Sequence, residues 1–478
     1  MNQKPNKTSK LDRFFKLSER GTSVRIELIA GLTTFMAMAY ILMVNPGMFS
    51  ALPDASFGGV YIATALSAVI GTVLIGLLAN LPLAQASGMG LNAFFVFTVC
   101  FGLGFTYANA LVFCLIDGVI FILLTMTGLR RAIFDAIPSV VKVAIPAGIG
   151  LFIAFLGLQD SDLVISNPDT GVTMSSFNLL GDATWASIMP LLVTIFAVIA
   201  IAVLSKKGVK GAILWSILGA AGLYYVLGLT IDGFYVGFWD SITMNPFDAF
   251  KEFGTGAVGK VFTEGFDFSA YLANNSVGSL IVAFATTALA FCMVDMFDTM
   301  GTLYGACRGG DLLVKNEKGE DEVPNMNQAM MADAIATCTG AICGTSTVTT
   351  YVESSAGVGA GGRTGLSSMF TAAMFFIAMF LSPVASLIPE CAYSAALIYV
   401  GILMMGCVKD IEWSDPAVAL PAFLTITMMP FTYNISYGIA FGLISHVAIK
   451  VCTGKAKEIN VGTWIVAALF AAMFFLTH

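Results

Sequence analysis

Charge is what this 478-residue chain has least of: 11% of its residues are Asp, Glu, Lys or Arg, against 57% hydrophobic. Soluble domains carry roughly 25% charged residues, so this composition cannot supply a solvated surface for a protein of this size. A soluble enzyme, a disordered chain and a nucleic-acid binder are excluded on that ground. Histidine is almost missing. His446 and His478 are the only two, too few for a haem or a multi-histidine metal centre. The nine cysteines form no CxxC and avoid the two longest acidic loops, so neither a disulfide framework nor a zinc site is indicated. Walker and kinase motifs are also lacking, which leaves no sign of transport driven by ATP hydrolysis within the chain. No cofactor and no metal site is expected.

What is there is apolar length, enough for well over ten bilayer crossings at ~20 residues each. Residues 1–24 are polar and basic; the apolar stretch after them runs to roughly 25 residues, too long for a signal-peptide core of ~7–15. It reads as an uncleaved first span. Hydropathy predicts spans near 25–49, 58–80, 82–104, 107–127, 138–158, 186–204 and 210–229. A second set follows near 276–304, 327–345, 346–361, 365–383, 388–408, 416–430 and 433–450. With the N-terminus cytoplasmic, 21 of the 23 Lys and Arg fall on the inner side, Arg130, Arg131 and Lys318 among them. Only Lys251 and Lys260 lie outside, in the long loop 230–275. The outer loop 159–185 carries Asp160, Asp162, Asp169 and Asp182 and no base. This is the positive-inside distribution of a multi-pass protein in a bacterial-type inner membrane. The apolar stretch 461–477 could be a fifteenth span or a helix lying in the cytoplasmic interface. At about 17 residues it is at the lower limit for spanning, and Lys455 and Lys457 before it favour the interfacial helix.

Two segments at membrane depth read as poor helix formers. LPLAQASGMGLN (81–92) holds Pro82, Gly88 and Gly90, and GTSTVTTYVESSAG (344–357) is rich in Thr and Val. Each is third in its half. Irregular backbone is tolerated there only where protein buries it or it lines a polar cavity, and interrupted spans in matching positions point to a transporter binding site. Asn92 and Glu353 are 261 positions apart (353 − 92), as are Thr34 and Asp295 (295 − 34). That equality is a light argument for placing Thr34 at the site.

Within the apolar spans lie Asp117, Asp295, Asp298, Asp333 and Glu353, with no Lys or Arg well inside. A carboxylate at that depth must be protonated, multiply hydrogen-bonded or facing a wet cavity, and such acids suit a proton-coupled carrier. Glu353, at the second break, either accepts from a ligand or caps the half-helix that follows; the two roles can coexist. Asp295 and Asp298 are three apart and share a helix face, Asp295 toward ligand, Asp298 toward a proton or the broken segment. Asn92, at the first break, serves as a second donor or acceptor or as a cap. Asp117 and Asp333 read as ties to neighbouring helices. GVGAGG (357–362) matches a dinucleotide-binding pattern, but no acid follows it before Glu390, so the ribose partner expected ~20 residues on is missing.

GLTTFMAMAYILMVNP (31–46), QASGMGLNAFF (85–95), VDMFDTMGTLYG (294–305) and TSTVTTYVESSAGVGAGGRTGL (345–366) resemble the azaguanine-type subgroup of the nucleobase–ascorbate transporter family, the bacterial adenine, guanine and hypoxanthine permeases. The resemblance covers nearly the whole chain. The N-x-G-x4-T-type signature of the uracil and xanthine branches is not evident, and ESSAGVGAGGRTG stands in its place. The resemblance implies an all-α polytopic fold of fourteen spans in two inverted seven-segment repeats. Core domains would be 25–127 and 276–383, gate domains 128–229 and 384–450, with 230–275 an extracytoplasmic loop and 451–478 a basic cytoplasmic loop and apolar helix. It further implies a homodimer through the gate domain, purine bound by Glu353, Asp295, Asn92 and Gly90, and proton coupling through Glu353, Asp295 or Asp298. Phe94, Phe35 and Tyr351 are candidates to stack on the base. The alternative on the same fold is an anion transporter or exchanger, sulfate- or bicarbonate-like, for which a basic residue in the cavity is expected.

Overall fold

The computed structural model describes residues 10–127, 137–235, 245–310, 312–315 and 321–476. Lys4, Lys7, Arg130, Arg131 and Lys318, which entered the topology, lie outside these.

The first span is two helices, α2 (Val24–Met38) and α3 (Ile41–Phe49), which meet at Ala39–Tyr40; a short α1 (Lys10–Phe15) precedes them. Then come α4 (Phe57–Leu74), strand β1 (Gln85–Ser87), the half-helix α5 (Met89–Ala93) with its wide continuation Phe94–Gly102, and α6 (Tyr107–Thr127). Helices α7 (Ser139–Asp160), α8 (Trp185–Lys206) and α9 (Ala212–Gly228) complete the first half. The second half runs α10 (Val277–Gly309), α11 (Met326–Cys343), strand β2 (Val348–Thr350), half-helix α12 (Ser354–Gly359), α13 (Gly365–Ala378), α14 (Glu390–Met404), α15 (Pro416–Phe431) and α16 (Ile435–Cys452). A last helix, α17, covers Val461–Leu476. These elements reproduce the fourteen expected segments, and among the described residues nine helical stretches, the joined α2–α3 included, are each long and apolar enough to cross a membrane.

The helices sort into two packing groups. One joins α2, α4, α6, α11 and α13 around the broken segments, and the other joins α7, α8, α14, α15 and α16. The 261-residue spacing is not kept by the elements themselves. The N-caps of α2 and α10, Ser23 and Ser276, are 253 apart (276 − 23), whereas those of α5 and α12, Gly88 and Glu353, are 265 apart (353 − 88). Loop and helix lengths differ between the halves, so the number carries no equivalence for Thr34.

A carboxylate that the inventory of acids passed over anchors the core. Glu27, fully buried on α2, accepts from the backbone N–H groups of Arg363 (2.9 Å), Thr364 (3.4 Å) and Ser367 (3.1 Å). These are orphan donors at the start of α13, where an anion also opposes the positive helix end. Asn80, in the left-handed region at φ 51°, adds its Oδ1 to Gly365 N–H (2.8 Å). Arg20 reaches the carbonyls of Asn80 and Arg363. The junction between α12 and α13 is thereby held from three other parts of the chain.

The C-terminal helix corrects an expectation. Phe474 packs on Tyr437 (5.3 Å between ring centroids) and Phe441 (5.2 Å), near the start of α16. Those residues lie about 20 Å from the other end of that helix at 1.5 Å per residue. A helix lying in the plane of the basic loop 453–460 cannot reach them. Instead α17 runs antiparallel along α16, with Phe470 fully buried and Ala467 and Thr463 buried on the same face. Side-chain burial against α16 and α10 outweighs its shortness. An alkaline phosphatase fused after Leu476 is therefore expected to be active on the membrane side opposite Lys455 and Lys457. An inactive fusion would return the helix to the basic face.

Candidate functional site

Both chain breaks are backbone problems before they are chemical ones. Residues with exposed N–H and C=O groups at membrane depth need internal partners, and here each break supplies the other's. β1 pairs antiparallel with β2, in the register Gln85↔Thr350, Ala86↔Thr349 and Ser87↔Val348, and every strand residue is buried. The pairing extends outward through Gly88 N–H to Thr347 O (2.9 Å) and Tyr351 N–H to Ala84 O (3.0 Å). The β-branched Val-Thr-Thr run is suited to this extended conformation. Immediately past the strands the half-helices α5 and α12 begin, from opposite repeats.

Side chains lock the crossing. The Gln85 amide donates to Asp333 (3.1 Å) and to Thr350 (3.1 Å), while the Thr299 hydroxyl contacts both Asp333 oxygens (3.0 and 2.9 Å). Asp333 is thus the tie that the sequence led us to expect. The Asn45 amide donates to Thr64 (2.7 Å) and Thr345 (2.9 Å), and the Thr345 and Ser87 hydroxyls share a hydrogen bond (2.6 Å). Asp117 is fully buried on α6, which packs against α11.

Glu353 sits in the turn between β2 and α12. Its side chain does not cap α12. It accepts instead from the hydroxyl of Tyr40 (Oε1, 2.5 Å), a fully buried residue at the corner between α2 and α3. Asp298 on α10 lies within Coulombic reach of Glu353 and accepts from Thr349 of β2 (3.3 Å). It bonds the broken segment, one of the two roles foreseen for it. The Tyr351 hydroxyl donates to Ser87 O, joining this cluster to the other strand. Glu353, Tyr40, Asp298, Thr349 and Tyr351 thus form one group.

The remaining candidates are distributed around it. Asn92, fully buried on α5, accepts through Oδ1 from Ser346, and its Nδ2 has no hydrogen-bond partner among the described residues. Asp295 is fully buried one turn before Asp298, within Coulombic reach of Cys114 on α6. Thr34 packs directly against Gly357 of α12, so close that no Cβ fits between them. Gly90 faces α7: a Cβ there would fall 2.5 Å from Ile149 Cγ2. Of the stacking candidates, Phe94 packs on Phe291 (4.8 Å) and Phe35 on Phe375 (5.1 Å), both edge-on. Sequence reasoning missed Tyr40, Asn45 and Gln85. The signal was a tyrosine and an asparagine inside the otherwise apolar MAMAYILMVNP.

Paired half-helices that cross, with a buried carboxylate at the crossing, are the arrangement around which transporter binding sites are built. A family model described as a permease family matches residues 25–441. The chain belongs to that family, the nucleobase–ascorbate transporters, as its motifs led us to expect. It is 37% identical to the adenine permease AdeQ of Escherichia coli over 98% of this chain and 97% of that one. It is 38% identical to the guanine/hypoxanthine permease PbuG of Bacillus subtilis over 94% and 95% respectively. Its fold is shared with the transmembrane domain of the cyanobacterial bicarbonate transporter BicA, with a TM-score of 0.58 at 15% identity, covering 86% of this chain and 97% of that one.

The Gly90–Ile149 contact lies between the two packing groups and gives a test of their fit. Gly90→Ala is expected to impair uptake through overpacking, which typically costs about 1–3 kcal/mol, and Ile149→Ala to restore it in the double variant. Uptake unaffected by Gly90→Ala would show that the contact yields freely.

Proposed function

We propose that the chain imports purine nucleobases by proton symport across the bacterial inner membrane, with its N-terminus cytoplasmic. The observation that carries this is Glu353, a buried carboxylate at the crossing of the two breaks, oriented by Tyr40. Purines present ring N–H and exocyclic amino donors along one edge, and a carboxylate accepts them with charge-assisted hydrogen bonds. The names of the relatives, adenine permease and guanine/hypoxanthine permease, support the same substrate class. Asn92, with an amide hydrogen-bonding position to spare, is the second polar contact in this reading, and Asp295 a further acceptor. Gly90 serves it through the α5–α7 contact and Thr34 by supporting α12, rather than by touching the base. The symported proton resides on Glu353, Asp295 or Asp298, and Asp298 lies within Coulombic reach of Glu353. The core then slides against the gate as an elevator, and the gate carries the homodimer contact.

The anion-carrier alternative is disfavoured by the same residue. Ionised, Glu353 puts a negative charge at the start of α12, where an anion would otherwise be drawn by the helix end.

Glu353→Gln is expected to lower purine uptake by roughly tenfold to a hundredfold, the range for losing a charge-assisted hydrogen bond, with the protein still in the membrane. Near-normal uptake would remove the assignment. In vesicles, an inward proton gradient should drive labelled hypoxanthine accumulation and a protonophore should abolish it; accumulation indifferent to the protonophore would exclude symport. Competition by adenine, guanine and hypoxanthine but not by uracil or sulfate is the expected specificity.

A further inference from the structure

We propose that Tyr40 is a specificity-determining residue that lets this site accept purines offering Glu353 a single hydrogen-bond donor. The inference rests on the reading of Glu353 as the purine acceptor and adds to it a reason for substrate breadth.

A phenol carries one hydrogen, and Tyr40 spends its hydrogen on Glu353 Oε1 at 2.5 Å. It is the one side-chain donor to Glu353 among the described residues. The other hydroxyls of the cluster are committed elsewhere: Tyr351 to Ser87 O and Thr349 to Asp298. Position and donor are both fixed by the fold. Tyr40 is fully buried at the α2–α3 corner, 313 residues from its partner in sequence, and its ring belongs to the main apolar core. One carboxylate oxygen therefore has its side-chain donor before any ligand arrives, and in this proposal Oε2 is the oxygen that meets the base.

The consequence differs between two purines that are otherwise alike. Guanine carries an N1–H beside a 2-amino group, two donors that can meet both oxygens of a carboxylate. Hypoxanthine is the same ring without the amino group and offers that carboxylate one donor. A buried carboxylate oxygen left without a partner is heavily penalised. With Tyr40 present, hypoxanthine leaves none. With Tyr40 replaced by Phe, hypoxanthine strands Oε1, whereas guanine covers it. Tyr40 acts here through Glu353 as a positioning residue and does not itself touch the base.

The test is equilibrium binding of labelled guanine and hypoxanthine to the purified full-length protein, its Tyr40→Phe variant and its Glu353→Gln variant. Tyr40→Phe is expected to weaken hypoxanthine roughly tenfold more than guanine, from the penalty on an unpaired buried acceptor. A merely structural tyrosine would weaken both equally, and that result, or no change in either, overturns the proposal. So does wild-type protein that binds guanine and not hypoxanthine. The Glu353→Gln arm separates the two levels. If it loses both purines while Tyr40→Phe leaves their ratio unchanged, the carboxylate reading stands and only the role of Tyr40 falls. If it binds both as wild type does, the carboxylate reading falls and this one with it. Should Tyr40→Phe not accumulate in the membrane, Tyr40→Leu is measured for the same ratio.

Discussion

The structure depends on six residues that pair where no pairing from outside is available. β1 and β2 bring together segments more than 260 positions apart, because neither break can satisfy its backbone alone at membrane depth. Much of the core follows from that crossing. Gln85 and Thr350 tie the strands side by side, Asp333 and Thr299 buttress them, and Asn45 fastens α3 to the segment leading into β2. Tyr351 bridges back from one strand's exit to the other's last residue. The polar groups in this region are numerous, and most of the hydrogen bonds that hold them run between the two breaks and the helices beside them.

Function enters where that pairing ends. Glu353 occupies the short turn between β2 and α12, and Asp298 is bonded to β2 itself. Both carboxylates are therefore tied to the crossed strands. The Glu27 clasp on the first residues of α13 holds the far end of α12. In the elevator movement proposed above, the core would carry this constellation as a unit, and contacts such as Gly90 on Ile149 would change partners.

Much of this was legible in the chain. The fourteen segments, the two breaks and the presence of Glu353, Asp295 and Asp298 inside the spans all follow from where apolar runs stop and where acids lie inside them. Other features were not legible, for identifiable reasons. Glu27 stands two residues into the first span and looks like an interfacial acid, until α13 is seen to present its N–H groups to it. Thr34 gained its place from an equal spacing that the elements do not keep, and its neighbour is a glycine of α12. The final helix looked too short to span, but length sets only what a helix can do alone, and burial against α16 decides where it goes.

What the sequence determined by itself was environment and inventory. Hydropathy is a local sum, so the membrane, the number of segments and the scarce acids could be read residue by residue. Which acid has which partner is a matter of long-range geometry, and only the tertiary structure decided it. Tyr40 is one tyrosine among thirteen in the chain. It acquires a role because the corner between α2 and α3 folds it to within 2.5 Å of a carboxylate 313 residues away.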